Sequence, residues 1–170
     1  MKLELGCGER PTEGYLHQDI IRMSKLDFLC NPWEIDLPIE SLSEVLAIGV
    51  IEHLRFEDVR KTIKHVHKLL GYGGIFLFDV PDLTVWSKYL YDTLRGLPTP
   101  FSKDHILATF YGWQRWPGDE HKSAWTEETI YGELSEFRYY ENGLSDMRAR
   151  VERTRFNRPE DTHIYIKATK

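Results

Sequence analysis

Apolar and polar positions along the first half of the chain follow the pattern of an alternating α/β protein. Five apolar segments, bounded by Gly, Pro or Asn, predict strands at 2–5, 14–20, 26–30, 44–51 and 73–81. The segment 44–51 (EVLAIGVI) is almost wholly apolar, which is typical of a strand buried on both faces of a parallel sheet. Because helices or loops separate most of these strands, we expect an open sheet that is parallel up to Val80.

The sequence predicts three helices. The first follows strand 44–51 and ends at Gly71, and its apolar face consists of Val59, Ile63, Val66 and Leu70. The second covers 83–94 and is broken by the Pro-rich segment that follows it. The third opens at Thr126 with a Thr cap and two glutamates, which favour a helix start. A long loop rich in Gly and aromatic residues, 110–125, lies between the second and third helices.

The C-terminal region alternates side-chain types with period two. This alternation predicts an antiparallel strand pair at 146–155 and 163–169, closing one edge of the sheet. The 170 residues are expected to form a single domain. A chain of this length buries roughly 70% of its unfolded surface, so its core needs no disulfide or metal.

Composition narrows the classes of partner. The net charge is −5 and no run of Lys or Arg exceeds two residues, which disfavours a nucleic-acid partner. No apolar run is long enough to cross a bilayer and the N-terminus lacks a signal-peptide core, so we expect a cytoplasmic protein with no membrane partner. The two cysteines, Cys7 and Cys30, form no CxxC motif and are expected to be free thiols.

No metal site is predicted from the sequence. His65 and His67 stand two positions apart in a predicted helix, and residues at that spacing do not share a face. The cysteine spacing also gives no zinc motif.

The stretch LELGCGERPTEGYLHQDI, residues 3–20, indicates a nucleoside site. Gly6 and Gly8 remove side chains where the first strand turns, which lets a ligand approach the backbone. Asp19 ends the second strand, where a carboxylate can accept two hydrogen bonds from a ribose diol. A dinucleotide loop is disfavoured, because a third glycine is missing and only ten residues separate Gly8 from Asp19. An adenosine ligand without a pyrophosphate fits better.

These motifs resemble the class I S-adenosylmethionine-dependent methyltransferases. The resemblance rests on LELGCG, the strand-ending Asp19, LPIESLSEVLAIGVIEHL and GYGGIFLFDVPD. The segment FYGWQ…DEHKSAWTEETI is similar to small bacterial methyltransferases often associated with surface-polysaccharide synthesis. The resemblance runs from Lys2 to about Phe137 and again over the terminal strand pair. It implies a Rossmann-like methyltransferase fold, a mostly parallel sheet flanked by helices with a C-terminal antiparallel strand pair.

The resemblance also implies a division of the chain and a set of cofactor-binding residues. Residues 1–82 form the cofactor-binding half, 83–137 the acceptor-side helices and aromatic loop, and 146–169 the strand pair. The implied S-adenosylmethionine contacts are Glu4, Gly6, Cys7 and Gly8 for the methionine end, Asp19 for the ribose, Asn31, Pro32 and Trp33 for the adenine, and Ile48, Gly49 and His53 below the sulfonium. Asn31 departs from the Asp that many members have. No helix precedes the first strand, so another segment or a partner chain is expected to cover the site.

Three residues are candidates for catalysis, because a hydroxyl acceptor needs a base. They are His53, Asp82 and His121. His53 is equally explained by hydrogen bonds to backbone carbonyls, and Asp82 by capping the helix at 83–94. His121, in the aromatic loop, is the strongest single candidate.

Aromatic side chains are concentrated in the same loop. Tyr111, Trp113, Trp116 and Trp125 are candidates to stack on an acceptor, although we expect most of the four to be in the core.

The predicted function is methyl transfer from S-adenosylmethionine to a small-molecule acceptor. A sugar hydroxyl or related metabolite is favoured by family association. A non-catalytic protein that binds S-adenosylmethionine or S-adenosylhomocysteine and a protein methyltransferase stay open as alternatives. A nicotinamide oxidoreductase is disfavoured by the missing third glycine. Whether the chain forms a homodimer also stays open.

Overall fold

Seven strands form one mixed sheet. The computed structural model of the chain describes residues 1–22, 24–153 and 160–170. The strands are β1 (Lys2–Leu5), β2 (Leu16–Asp19), β3 (Phe28–Leu29), β4 (Leu42–Ala47), β5 (Leu70–Pro81), β6 (Tyr139–Asn142) and β7 (His163–Thr169). Their spatial order is β3-β2-β1-β4-β5-β7-β6. The pairs among β1 to β5 are all parallel, whereas β7 is antiparallel to β5 and β6. The predicted fold class is confirmed.

Five α-helices flank or follow the sheet. They are α1 (Phe56–Leu69), α2 (Leu83–Leu94), α3 (Lys103–Tyr111), α4 (Glu127–Gly132) and α5 (Leu144–Arg153). Short 3-10 turns cover Pro32–Glu34, Ile51–His53 and Glu160–Thr162. In the part of the chain that the structure describes, no helix combines the length and apolar character needed to cross a membrane.

The core has two layers, one on each face of the sheet. Residues alternate between the faces along the central strands, so Val45 and Phe76 pack against α1 and α4 while Leu46 and Leu77 pack against α5. The apolar run in and after β4 is therefore buried on both faces, as predicted. This double cover holds the carboxyl ends of the parallel strands at fixed positions.

The predicted boundaries of the C-terminal strand pair are wrong for its first member. The segment 146–155 was expected to be a strand, but α5 occupies Leu144–Arg153, and 154–155 lie outside the described residues. Leu144, Met147 and Val151 recur at helical spacing and pack on the sheet, and this stripe overrides the period-two alternation. The strand that pairs with β7 is β6, at Tyr139–Asn142.

Two smaller differences concern helices α1 and α3. Helix α1 ends at Leu69 rather than at Gly71, because Leu70 already pairs with Leu42 as the first residue of β5. Helix α3 was not predicted, although Ser102 caps it by accepting a hydrogen bond from the His105 amide at 3.2 Å. Neither Cys7 nor Cys30 forms a disulfide, as expected, and burial raises the pKa of the Cys30 thiol.

Candidate functional site

A cleft of about 400 Å³ opens at the carboxyl ends of the parallel strands. In an open α/β sheet this edge is where ligands bind. One wall consists of the turns that follow β1, β2, β3 and β4. The other consists of residues from the aromatic loop. The sequence predicted this loop at 110–125, but α3 extends to Tyr111, so the loop covers residues 112–125. The lining residues are Gly6, Gly8, Gln18, Asp19, Ile20, Ile21, Asn31, Pro32, Trp33, Gly49, Val50, His53, Leu54, Arg55, Asp58, Arg115, Trp116, Gly118, Asp119 and Lys122.

The glycine turn after β1 brings bare backbone to the cleft. Gly6 and Gly8 have φ of 57° and 59°, a region that favours glycine. A Cβ at Gly6 would lie 2.5 Å from Val50 Cγ2, whereas one at Gly8 would meet no protein atom within 4 Å. Gly6 is therefore required by packing, and Gly8 leaves open space at the cleft wall.

Asp19 is held in place by backbone amides. Its Oδ2 accepts a hydrogen bond from Gly8 N at 2.9 Å and its Oδ1 accepts one from Ile21 N at 3.1 Å. A carboxylate has about four lone-pair sites, so each oxygen can accept a further bond from a ligand hydroxyl. The half-buried carboxylate therefore acts both as a clamp on the glycine turn and as an acceptor that faces the cleft.

Gln18 links the ends of β1, β2 and β3. It was not predicted from the sequence as a site residue. Its Oε1 accepts from Gly6 N at 3.2 Å, and its Nε2 donates to Cys30 O at 2.5 Å. The side chain is buried, so these two bonds satisfy polar groups that water does not reach. In the sequence Gln18 is only the residue before Asp19, and no local pattern marks it.

The turn after β3 forms a slot with an aromatic wall. Asn31 N and Nδ2 donate to Glu34 Oε2 at 3.0 and 2.8 Å, which fixes the start of the 3-10 turn. The Lys61 ammonium lies 5.5 Å from the centroid of the Trp33 ring. Asn31, Pro32 and Trp33 all line the cleft, where a flat ring can stack.

The aromatic loop is organised by one ion pair. Asp119 is buried and accepts hydrogen bonds from Arg115 N at 3.0 Å, Nε at 2.9 Å and a terminal guanidinium nitrogen at 3.1 Å. Burial alone would raise the pKa of Asp119, but the bonds with Arg115 outweigh it and the pKa lies below its usual range. The Arg115 guanidinium also stacks 4.2 Å from the centroid of the Trp116 ring.

The end of the same loop is fastened to the turn after β4. Lys122 N and Ser123 N donate to Glu52 O at 2.8 and 3.2 Å, and Ser123 Oγ donates to Ile51 O at 3.2 Å. This contact brings His121 next to His53, and the two rings stand edge to face with centroids 4.8 Å apart.

Backbone carbonyls hold both histidines. His53 Nδ1 lies 3.1 Å from Glu120 O, and His121 Nδ1 lies 2.7 Å from Thr109 O. His53 lines the cleft, and His121 lines a small adjacent crevice with Pro81, Leu83 and Trp86. The two strongest predicted candidates for catalysis therefore meet at the border of the two cavities.

The other predicted contacts lie behind the cleft wall. Glu4, Cys7 and Ile48 are buried and do not line it. The Glu4 carboxylate accepts from Thr12 N at 2.6 Å and from Thr12 Oγ1 at 2.9 Å, which holds the loop that follows the glycine turn.

Asp82 caps α2. Its Oδ1 accepts a hydrogen bond from Thr84 N at 2.8 Å, and it lines neither the cleft nor the crevice. This cap accounts for the acidic residue after β5, as the alternative interpretation of the sequence proposed.

The expectation that most of the four aromatic candidates for stacking are in the core is wrong. Only Trp125 is buried, whereas Tyr111, Trp113 and Trp116 are exposed, and Trp116 lines the cleft.

His65 and His67 have separate partners, as their spacing predicts. His65 Nε2 lies 2.9 Å from Ile35 O, and His67 Nδ1 lies 3.8 Å from Glu136 Oε2.

Comparison with solved structures identifies the fold. A SAM-dependent methyltransferase from Archaeoglobus fulgidus shares 16% identity over 99% of this chain and 85% of its own, with a TM-score of 0.62. A methyltransferase from Mesorhizobium loti shares 18% identity over 99% of this chain and 90% of its own, with a TM-score of 0.59. A possible histamine N-methyltransferase from Thermotoga maritima shares 12% identity over 99% of this chain and 81% of its own, with a TM-score of 0.54.

At the level of sequence, no protein-family model matches the chain, and no curated protein does. The structural likenesses show that the chain has the fold of S-adenosylmethionine-dependent methyltransferases.

Proposed function

We propose that the protein transfers a methyl group from S-adenosylmethionine to a small-molecule acceptor. The observation that carries this proposal is the Asp19 carboxylate, clamped by Gly8 N at 2.9 Å on a cleft of about 400 Å³. A carboxylate held in this way is ready to accept hydrogen bonds from a ribose diol without further ordering. The methyltransferase fold of the structural neighbours supports the same cofactor.

The cleft residues divide into contacts for the parts of the cofactor. Asp19 would bind the ribose hydroxyls, and the slot at Asn31, Pro32 and Trp33 would take the adenine. The bare backbone around Gly8 leaves room for the methionine end. Gly49 N donates to the buried Asp79 at 2.8 Å, which fixes the end of β4 near the expected position of the sulfonium. Positioning contributes much of the catalysis in such an in-line displacement.

The acceptor would bind on the side of the aromatic loop. This wall carries Arg115, Asp119 and Lys122, which suit a polar acceptor, together with Trp116, which can stack on a ring. A sugar hydroxyl or a related metabolite is therefore the favoured acceptor. The pKa of a hydroxyl is far above neutrality, so it has to be activated, and His53 and His121 are the groups in place to do so.

The proposal is tested by thermal unfolding with S-adenosylhomocysteine, with NAD and without ligand. A ligand at one hundred times its dissociation constant adds about 2.7 kcal/mol of stability. We expect a rise in Tm of roughly 5 to 11 °C with S-adenosylhomocysteine and none with NAD. Equal shifts with both ligands, or a shift with NAD alone, would contradict the proposal.

Asp19→Asn should abolish most of this shift, because it removes the charge that strengthens the ribose bonds. Asp27→Asn is the matched control. Asp27 Oδ2 accepts from the backbone amide of His17 at 2.8 Å, but the residue does not line the cleft. The control should retain the shift in full.

Methyl transfer itself is then measured with isotopically labelled S-adenosylmethionine against sugars, amino sugars and proteins. Transfer to proteins alone would favour the protein methyltransferase. Binding of S-adenosylhomocysteine with no transfer to any of these acceptors would favour a non-catalytic binding protein.

A further inference from the structure

Three metal-ligating side chains converge beside the cleft. Across the part of the chain that the structure describes, one group of this kind is present, consisting of Glu52, His53 and His121. One ligand atom from each of the three residues lies within 4.8 Å of the others. A long stretch of sequence separates His121 from the other two residues, so the group exists only in the folded chain.

Both histidines have Nδ1 within hydrogen-bond distance of a backbone carbonyl. A carbonyl oxygen only accepts hydrogen bonds, so the bonds to Glu120 O and Thr109 O place the proton of each neutral ring on Nδ1. Nε2 is then the nitrogen that carries the lone pair. A second bond of this type, from the other ring nitrogen to a backbone carbonyl, fixes the tautomer and orientation of histidine ligands in metal sites.

Glu52 supplies an independent indication that this group binds a cation. The residue is only 3% exposed, and its Oε2 has no hydrogen-bond partner among the described residues. A buried carboxylate oxygen without a donor is costly, and such groups in proteins are normally paired or coordinate a metal. Its position beside two imidazoles indicates a cation.

We propose that Glu52, His53 and His121 form a binding site for a divalent transition-metal ion. Two imidazoles and one carboxylate suit Zn²⁺, Co²⁺, Fe²⁺ or Mn²⁺, whereas Mg²⁺ prefers oxygen ligands and retains its water. Ligand atoms about 2.1 Å from one ion lie about 3.4 Å apart, so the side chains move inwards by roughly 1 Å on binding. Three protein ligands leave at least one coordination position open.

The open position gives the ion a chemical task. His53 lines the cleft and His121 the crevice, so a bound ion would lie between these two cavities, beside the space proposed for the cofactor and the acceptor. This part of the inference rests on the proposed function. A dication held there by Glu52, His53 and His121 would lower the pKa of a bound acceptor hydroxyl. The acceptor oxygen would then bond to the methyl carbon, the S–CH₃ bond would break with its electron pair left on sulfur, and the hydroxyl proton would pass to solvent water.

The site is tested by titrating the metal-free protein with Co²⁺, followed by calorimetry and visible absorption. We expect one equivalent to bind with ligand-field absorption bands, and Zn²⁺ to displace it. Glu52→Gln and His121→Gln should each weaken binding by at least about 100-fold, because they remove a ligand rather than an outer-shell partner. Equal Co²⁺ affinity in the wild type and both variants would overturn the proposal.

His67→Gln is the matched control, since His67 lies near a glutamate but outside the group. It should bind Co²⁺ like the wild type, and a loss equal to that of His121→Gln would overturn the assignment to this site. Cooperative melting of each variant without metal shows that it is folded.

Neither Glu52 nor His121 lines the cleft, so both variants should keep the thermal shift with S-adenosylhomocysteine. Co²⁺ binding without that shift would support the metal site and contradict the proposed cofactor. A thermal shift with S-adenosylhomocysteine without Co²⁺ binding would support the proposed cofactor and contradict the metal site.

Discussion

The two walls of the cleft are built by different means. The first wall follows from the sheet, because β1, β2 and β4 pair in parallel and present their carboxyl ends together. Its polar groups are tied by backbone amides, as in the bond from Gly8 N to Asp19. The second wall is the aromatic loop, which has no strand of its own and is closed by the side-chain pair of Arg115 and Asp119.

Because they are built differently, the two walls are expected to differ in rigidity and in the ligand that each would bind. A wall fixed by a sheet buried on both faces is suited to a cofactor whose shape does not change. A loop held by one side-chain pair and by a few backbone bonds near its end can be altered without disturbing the core, and binding loops on rigid scaffolds carry specificity for this reason. We therefore expect substitutions in the aromatic loop to leave the sheet intact and to change acceptor choice strongly.

The largest effect is expected from Gly112→Ala. Gly112 ends α3 with φ 73° and ψ 165°, a region that almost only glycine adopts, and a Cβ there would overlap the backbone of Asp119. Strain and overpacking together should cost about 3 kcal/mol or more, measured as the free energy of unfolding in urea.

Gly96→Ala is the control for this substitution. Gly96 follows α2 with a similar φ of 71°, but a Cβ there would meet no atom within 4 Å. It should lose only about 1 to 2 kcal/mol. Equal losses in the two variants would show that the loop is not packed on itself at Gly112.

The second effect concerns the ion pair that closes the loop. Asp119→Ala leaves the Arg115 guanidinium without its buried partner and should cost about 2 to 3 kcal/mol in urea unfolding. Asp92→Ala is the matched control, because Lys88 and Asp92 have the same spacing and a distance of 2.7 Å, but the lysine is 72% exposed. Removal of that pair should cost less than about 1 kcal/mol. A loss for Asp119→Ala as small as the control's would mean that the loop has other supports.

The first wall could largely be predicted from the sequence, whereas for the second wall the sequence predicted the loop but not the bonds that close it. The apolar run after Leu42, the glycine turn and the carboxylate of Asp19 are local signals, and each has a direct structural meaning in a parallel sheet. The pairing of Arg115 with Asp119 lies within a segment that has no periodicity, so nothing in the sequence marks which of its charged residues is buried.

The meeting of Glu52 with His121 was beyond sequence reasoning for another reason. It depends on two amides of the loop, those of Lys122 and Ser123, which donate to the carbonyl of Glu52. Backbone contacts of this kind leave no trace in residue type. The helix α5 was missed because its polar residues alternate by chance, and only the stripe of Met147 and Val151 against the sheet reveals the helical period.

The third prediction tests the first wall through ligand binding, with two substitutions that should change stability only slightly. Gly8→Ala and Gly14→Ala both place a methyl group at positive φ in open space, so each should lose about 1 to 2 kcal/mol. Only Gly8 lines the cleft, and the methyl group added there would occupy space that we propose for the cofactor. We expect calorimetry to show S-adenosylhomocysteine binding weakened by about tenfold or more in Gly8→Ala, a loss of at least about 1.4 kcal/mol, and unchanged in Gly14→Ala. Equal affinities in the two variants would place the cofactor away from the glycine turn, and the proposed orientation in the cleft would have to be abandoned.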